Sequence, residues 1–120
     1  MEYGSLILNE MSETPTFSRW CVELSSSGIL SPVLDIGCGI GNNLQYLSEL
    51  SDSVWGCDFN IEYIQLIQRG KPNFGHNVFH WDLYNAIPPE YANEFNSFFC
   101  SNVIEHIEND SLALKNIYDI

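Results

Sequence analysis

Val33-Leu34-Asp35-Ile36-Gly37-Cys38-Gly39-Ile40-Gly41-Asn42-Asn43-Leu44 is the stretch that decides the fold. A short, mostly apolar run with strand character meets alternating glycines and passes into the spacing of a helix. Glycine at such a junction permits positive φ and lets a ligand approach the backbone without a Cβ in the way. The ligand is then expected to meet free N–H groups at the start of the following helix. Two cofactor classes use a turn of this kind. A dinucleotide requires G-x-G-x-x-G, whose third glycine allows close helix–strand packing around a pyrophosphate. Here that position is Asn42, and the pattern is G-x-G-x-G with Asp35 two residues ahead of its first glycine.

Outward from the turn, β-rich runs alternate with amphipathic stretches, which predicts an α/β domain built around a parallel sheet. Upstream, Pro15 to Ser27 reads as a helix with Phe17, Trp20, Cys21 and Leu24 at helical spacing. Pro32 to Ile36 is the first strand, and Leu44, Tyr46, Leu47 and Leu50 mark the helix after the turn. Ser53 to Cys57 forms a second strand ending at Asp58. Ile61, Ile64 and Ile67 stripe a second helix, which Gly70-Lys71-Pro72 stops. Asn77 to Trp81 is a third strand ending at Asp82, and a loop with Pro88-Pro89 leads to a fourth, Phe95 to Cys100. Asn109 or Asp110 can cap a last helix carrying Leu112, Ala113, Leu114, Ile117 and Tyr118. Residues 1–29 form a helical lead-in and 30–120 the core.

The acids at the strand ends carry chemistry. Asp58 closes the second strand beside the glycine turn, where a carboxylate can accept both hydroxyls of a ribose. The alternative is a turn or cap residue for the helix at Ile61. If the side chain faces a ligand, Asp58→Ala costs about 2–4 kcal/mol of affinity and leaves folding little changed. Asp82 closes the third strand and can accept the exocyclic amine of an adenine lying over the sheet's edge; the alternative is a solvated loop acid.

Composition narrows the partners. The 120 residues accommodate one domain, and a hydrophobic share of 45% is ordinary for a packed core. Sixteen acids against four bases give a net charge of -12, which repels phosphate-rich partners and argues against nucleic acid. Arg19, Arg69, Lys71 and Lys115 form no patch. Cys21, Cys38, Cys57 and Cys100 make no CxxC pair and read as free thiols in a reducing compartment, with Cys38 and Cys57 as small buried hydrophobes. Met1-Glu2-Tyr3-Gly4 lacks a basic n-region, and no apolar run approaches the roughly 20 residues of a membrane helix. A cytoplasmic location without membrane attachment is expected.

Taken in order, these motifs resemble class I S-adenosylmethionine (SAM)-dependent methyltransferases, most closely the small-molecule branch that includes the ubiquinone-pathway O-methyltransferases. The resemblance covers Leu30 to Ile120: the glycine motif Asp35 to Gly41, the acid in Gly56-Cys57-Asp58-Phe59-Asn60, Asp82-Leu83, and Ser101-Asn102-Val103-Ile104-Glu105-His106-Ile107. It implies a Rossmann-like three-layer αβα sandwich with strand order 3-2-1-4, SAM as cofactor, and a small-molecule methyl acceptor. By the same resemblance Asp35, Gly37, Cys38, Gly39 and Gly41 hold the methionine part of SAM. Asp58 binds the ribose, Phe59 lies against the adenine, Asp82 and Leu83 border it, and Ser101 lines the pocket near the sulfonium. Arg19 is a candidate for the SAM carboxylate.

Some relatives hold magnesium with E-x-x-E-H after the fourth strand. This sequence has Asn102-x-x-Glu105-His106, so no metal is assigned. Glu105 and His106 are the catalytic candidates, either positioning substrate or, for His106, acting as a general base; the alternative is that they only begin a helix. His76 and His80 read as structural.

In the family a Pro-Gly turn, a fifth strand and a closing hairpin come next, whereas this sequence ends at Ile120. The domain is therefore expected to be incomplete after its fourth strand and following helix. The apolar fourth strand would then be an open edge for a homodimer or partner chain. On that reading the chain alone binds SAM without transferring its methyl group, and associates more readily as salt screens its charge. The alternatives are a non-catalytic SAM-binding subunit completed by a partner, and an NAD-type module, against which Asn42 and Asp82 speak.

Overall fold

The structure is a computed structural model, and it describes residues 15–101, 108 and 110–119. Every position of β1, Val33–Ile36, is buried, Asp35 included. A strand covered on both faces belongs inside its sheet. β1 accordingly pairs in parallel with β2, Val54–Asp58, on one side and with β4, Ser97–Cys100, on the other. The third strand, β3 (Val78–His80), adds beyond β2, giving the order β3-β2-β1-β4 that the resemblance implied. The chain moves outward from β1 to β3 and then jumps back across β1, so the strand order reverses between β1 and β4. Open α/β sheets bind ligands at that reversal, outside the carboxyl ends of the strands.

Alternate side chains divide the core between the two faces of the sheet. On one face Val33, Val54, Val78 and Phe99 meet α1 (Pro15–Leu24), α2 (Leu44–Leu47) and α3 (Ile61–Gly70) through Val22, Leu44, Tyr46, Leu47, Ile64 and Ile67. On the other, Leu34, Ile36, Cys57 and Phe79 meet α4 (Asp110–Tyr118) through Ala113 and Ile117. The connection from β3 to β4 contains no α-helix. A 3-10 turn at Pro89–Tyr91 fills that place by stacking Tyr91 on Phe79 at a centroid distance of 3.9 Å.

Three helices differ from expectation, each for a local reason. The expected helix through Leu50 shortens to Leu44–Leu47 because Ser48 donates its hydroxyl to the Gln45 carbonyl, and Glu49 and Leu50 bond three residues back. α1 stops at Leu24, where the Ser25 hydroxyl donates to the Cys21 carbonyl. Among its described side chains Val22 is buried and Cys21 partly buried, while Trp20 and Leu24 are exposed; the side chain of Phe17 lies outside the described residues. In α3 a repeat of three drifts around a 3.6-residue helix, so Ile64 and Ile67 are buried and Ile61 is half exposed.

The glycine turn packs directly on β2. A Cβ at Gly56 would stand 3.0 Å from Cys38 Sγ and 3.3 Å from Leu44 Cδ2, whereas one at Gly28 would meet nothing within 4 Å. Gly56→Ala should therefore lower unfolding stability by about 1–3 kcal/mol. Gly28→Ala should leave it unchanged or raise it by up to about 1 kcal/mol. Urea melts of the two variants check this contrast, and equal midpoints would contradict it.

Candidate functional site

At the carboxyl edge, Gly37, Gly39 and Gly41 all have positive φ, at 74°, 57° and 88°. Side chains are strained in that region, which is why the sequence alternates glycine there. The turn is held from below. Gly37 and Cys38 donate their N–H groups to the Cys57 carbonyl at 2.8 and 2.9 Å, and Gly41 donates to the Cys38 carbonyl at 2.9 Å. Gly39 donates to Asp58 Oδ2 at 2.9 Å. Four N–H groups of the turn are thus used within the fold, and at the start of the following helix, where free donors were expected, the Leu44 N–H bonds to the Gly41 carbonyl at 3.2 Å.

Asp58 has a structural role as well as a place at the edge. Its Oδ1 accepts the Asn60 N–H at 2.9 Å, while Asn60 Oδ1 caps α3 by accepting the Glu62 N–H at 3.0 Å. The carboxylate is 7% exposed, and burial pushes its pKa up against the lowering effect of the Asn60 and Gly39 N–H groups and of His80. Replacement of Asp58 was expected to leave folding little changed. The structure corrects that, since the side chain ties the turn after β1 to the end of β2.

Asp35 is buried more deeply, at 1% exposure, and its Oδ2 has no hydrogen-bond partner. Burial, followed by the like charge of Asp58, raises its pKa well above the usual 3.8. The buried Cys38 and Cys57 thiols are raised by burial and by the charge of Asp35, and the exposed Cys100 is pushed up to about 11 by the same causes, which disfavours the thiolate at all three. A buried acid with one unpartnered oxygen, beneath a turn that has engaged four of its donors, suits a cationic ligand, which would favour the carboxylate's charge.

The other expected residues border the same edge. Phe59 is 69% exposed, an aromatic surface available to a planar base. Asp82 is partly exposed, and its Oδ1 accepts the Tyr84 N–H at 3.0 Å. The Leu83 side chain is part of the core, so only its main chain borders the edge. Ser101 follows β4 and is half-buried. Asn102, Glu105 and His106 lie outside the described residues. Arg19, suggested for a ligand carboxylate, is instead engaged by Glu49 at 3.2 Å and lies over the Tyr46 ring. Among the described residues no group of His, Cys, Asp or Glu is arranged to hold a metal.

A family described as a methyltransferase domain matches residues 33–120. No curated protein matches the chain. A candidate S-adenosyl-L-methionine-dependent methyltransferase of Methanococcus maripaludis is 20% identical over 98% of this chain and 57% of its own, with a TM-score of 0.76. A TehB-like SAM-dependent methyltransferase of Corynebacterium glutamicum is 23% identical over 85% of this chain and 54% of its own, with a TM-score of 0.64. SAM-bound CalS10, an amino pentose methyltransferase of Micromonospora echinaspora, is 14% identical over 91% and 42%, with a TM-score of 0.61. At these identities the likeness is one of fold. The chain spans about half the length of these solved structures.

The buried acid has a measurable consequence for stability. A carboxyl whose folded pKa is raised holds a proton that the unfolded chain has lost, so its contribution falls as pH rises from the usual 3.8 toward the folded value. Asp35→Asn removes that titration. The variant should gain in unfolding midpoint relative to wild type as pH is raised from 4 to 8, measured in the absence of ligand. A difference that stays constant with pH, or shrinks, would contradict the assignment.

Proposed function

The chain belongs to the methyltransferase-domain family, and we propose that its carboxyl edge holds SAM for methyl transfer to a small-molecule acceptor. SAM is the cofactor of this family, and the residues at the edge fit it. The observation that carries the reading is the buried Asp35, whose Oδ2 has no partner, beneath a turn that has engaged the N–H groups of Gly37, Cys38, Gly39 and Gly41. SAM brings an ammonium and a sulfonium and no phosphate, whereas NAD brings a pyrophosphate that would meet a turn with four of its donors engaged and a buried acid beneath it. The net charge of -12 favours a cationic cofactor in the same sense.

Bound SAM supplies a methyl group on a sulfonium, a leaving group that is already activated. The protein's share of the work is placement, since alignment of two reactants supplies much of the acceleration in such displacements. In this reading Asp35 and the turn Gly37 to Gly41, with Cys38 and Gly39, hold the amino-acid half. Asp58 keeps lone pairs for the ribose hydroxyls, Phe59 covers one face of the adenine, Asp82 takes its amine, and Leu83 borders it through the main chain. Ser101 stands near the sulfonium, and Glu105 and His106 are the candidates for positioning the acceptor or taking its proton. We place the acceptor among small molecules because the acidic surface disfavours nucleic acid. The free cysteines suit the cytoplasm, and no helix among the described residues is long and apolar enough to cross a membrane.

Calorimetry should find S-adenosylhomocysteine bound more tightly than NAD; the reverse order would overturn the reading. Asp58→Ala should cost about 2–4 kcal/mol of S-adenosylhomocysteine affinity through the lost ribose contacts. It should also lower unfolding stability by about 1–3 kcal/mol, because the Gly39 and Asn60 N–H groups lose their acceptor. Loss of stability with unchanged affinity would leave Asp58 a turn residue alone.

A further inference from the structure

β3 ends at His80, which stands directly opposite Asp58 in the parallel register. The backbone ladder between the two strands finishes there, with the Trp81 N–H donating to the Asp58 carbonyl at 3.0 Å. The next carbonyl along, that of Phe59, is met by a side chain: His80 Nε2 lies 2.7 Å from the Phe59 oxygen. A carbonyl only accepts, so Nε2 carries the proton and donates. The same imidazole also acts on Asp58 electrostatically, lowering its pKa against the effect of burial. One exposed ring thus braces the two successive residues that the proposed function gives to the nucleoside, the acid for the ribose and the exposed aromatic for the base.

The geometry points to His80 as a positioning residue for the nucleoside half of the cofactor, acting through the Phe59 carbonyl. The inference rests on the proposed SAM site. The segment after β2 turns away at Asn60 to begin α3, and its own internal tie is the Asp58–Asn60 bond. With 69% of Phe59 exposed, little packing holds its ring, and the backbone fixes the point from which the ring reaches the ligand. Fixing that backbone before the ligand arrives removes an ordering cost from binding. The amino-acid half, held by the turn after β1, does not involve this brace.

The experiment compares His80→Gln and His80→Asn in the full 120-residue chain. A glutamine amide nitrogen is as many bonds from the backbone as Nε2 and can still donate to Phe59, whereas an asparagine nitrogen is one bond short. His80→Asn should weaken adenosine and S-adenosylhomocysteine by the same factor, about three- to tenfold, the loss of one net hydrogen bond. His80→Gln should bind both close to wild type, and thermal melts of the two variants should agree. Equal affinities for wild type and His80→Asn, or His80→Gln as weak as His80→Asn, would overturn the role of His80 while leaving the SAM site standing. A greater loss for S-adenosylhomocysteine than for adenosine would also overturn it, by tracing the effect to the glycine turn. Wild type that binds neither ligand would instead overturn the proposed function, and this inference with it.

Discussion

One carboxylate organises the carboxyl edge. Asp58, at the end of β2, accepts the Gly39 N–H from the turn after β1 and the Asn60 N–H from its own loop, both at 2.9 Å. The positive φ of Gly39 belongs to the turn geometry in which that bond is made, and the Cys57 carbonyl takes two further N–H groups of the turn. The turn is thereby fastened to β2 instead of being left open as an anion cradle. The helix that follows is only four residues long, too short to present the aligned donors that anion sites use. The N–H groups of Gly37, Cys38, Gly39 and Gly41 are engaged within the fold, which supports the proposed preference for a ligand with a cationic head.

The same arrangement places two acids where water cannot solvate them. Burial raises both Asp35 and Asp58, and the charge of Asp58 makes Asp35 harder still to ionise. Asp58 recovers part of this through its N–H donors, whereas Asp35 Oδ2 has none. The folded protein therefore holds the Asp35 proton more tightly than the unfolded chain does, at a cost in stability that rises with pH. In the proposed site a ligand ammonium beside Asp35 would favour the carboxylate and couple binding to proton release.

Much of this was legible in the sequence, because element type and the ends of the strands follow from short-range patterns, while the strand order was implied by the family resemblance. A glycine turn after a buried strand and an acid closing each of the next two strands were enough to place Asp35, Asp58 and Asp82 on one edge. What could not be read was which polar groups satisfy one another. Asp58 shows this best, for nothing in its spacing from Gly39 reveals that the turn's N–H points at its carboxylate. The engagement of Arg19 by Glu49, and of His80 by the Phe59 carbonyl, likewise requires knowing which elements pack together and in what register. The exposure of Ile61, Trp20 and Leu24 marks the limit of periodicity, since an apolar spacing names a candidate face and only packing decides how wide it is. The resemblance to SAM-dependent methyltransferases carried the cofactor correctly, and the matched domain supports the family without reaching the ubiquinone-pathway branch.

In the proposed SAM site the two ends of the ligand would rest on different contacts. The amino-acid end would depend on the glycine turn, whose bonds are internal to β1 and β2 and whose underside is the tightly packed contact of Cys38 and Leu44 with Gly56. The base would depend on segments tied to the opposite face of the sheet. Leu83 is inserted into that core, its carbonyl accepts the Asn116 side-chain amide from α4 at 2.6 Å, and Trp81 Nε1 donates to the Asn85 carbonyl at 3.0 Å. With Tyr84 bonded to Asp82 Oδ1, the 81–85 turn is fixed while the other Asp82 oxygen stays free of that bond. Where a helix would otherwise bridge β3 and β4, the stacked rings of Phe79 and Tyr91, with Trp55 and Phe95 around them, do the packing. Loosening α4 or the aromatic face would therefore disturb the proposed base contacts more than the turn, whereas crowding Gly56 would disturb the turn and, through the Gly39–Asp58 bond, the ribose acid with it. In the proposed site the base and the amino-acid end of the ligand would thus rest on different cores, with Asp58 tied to the core beneath the turn.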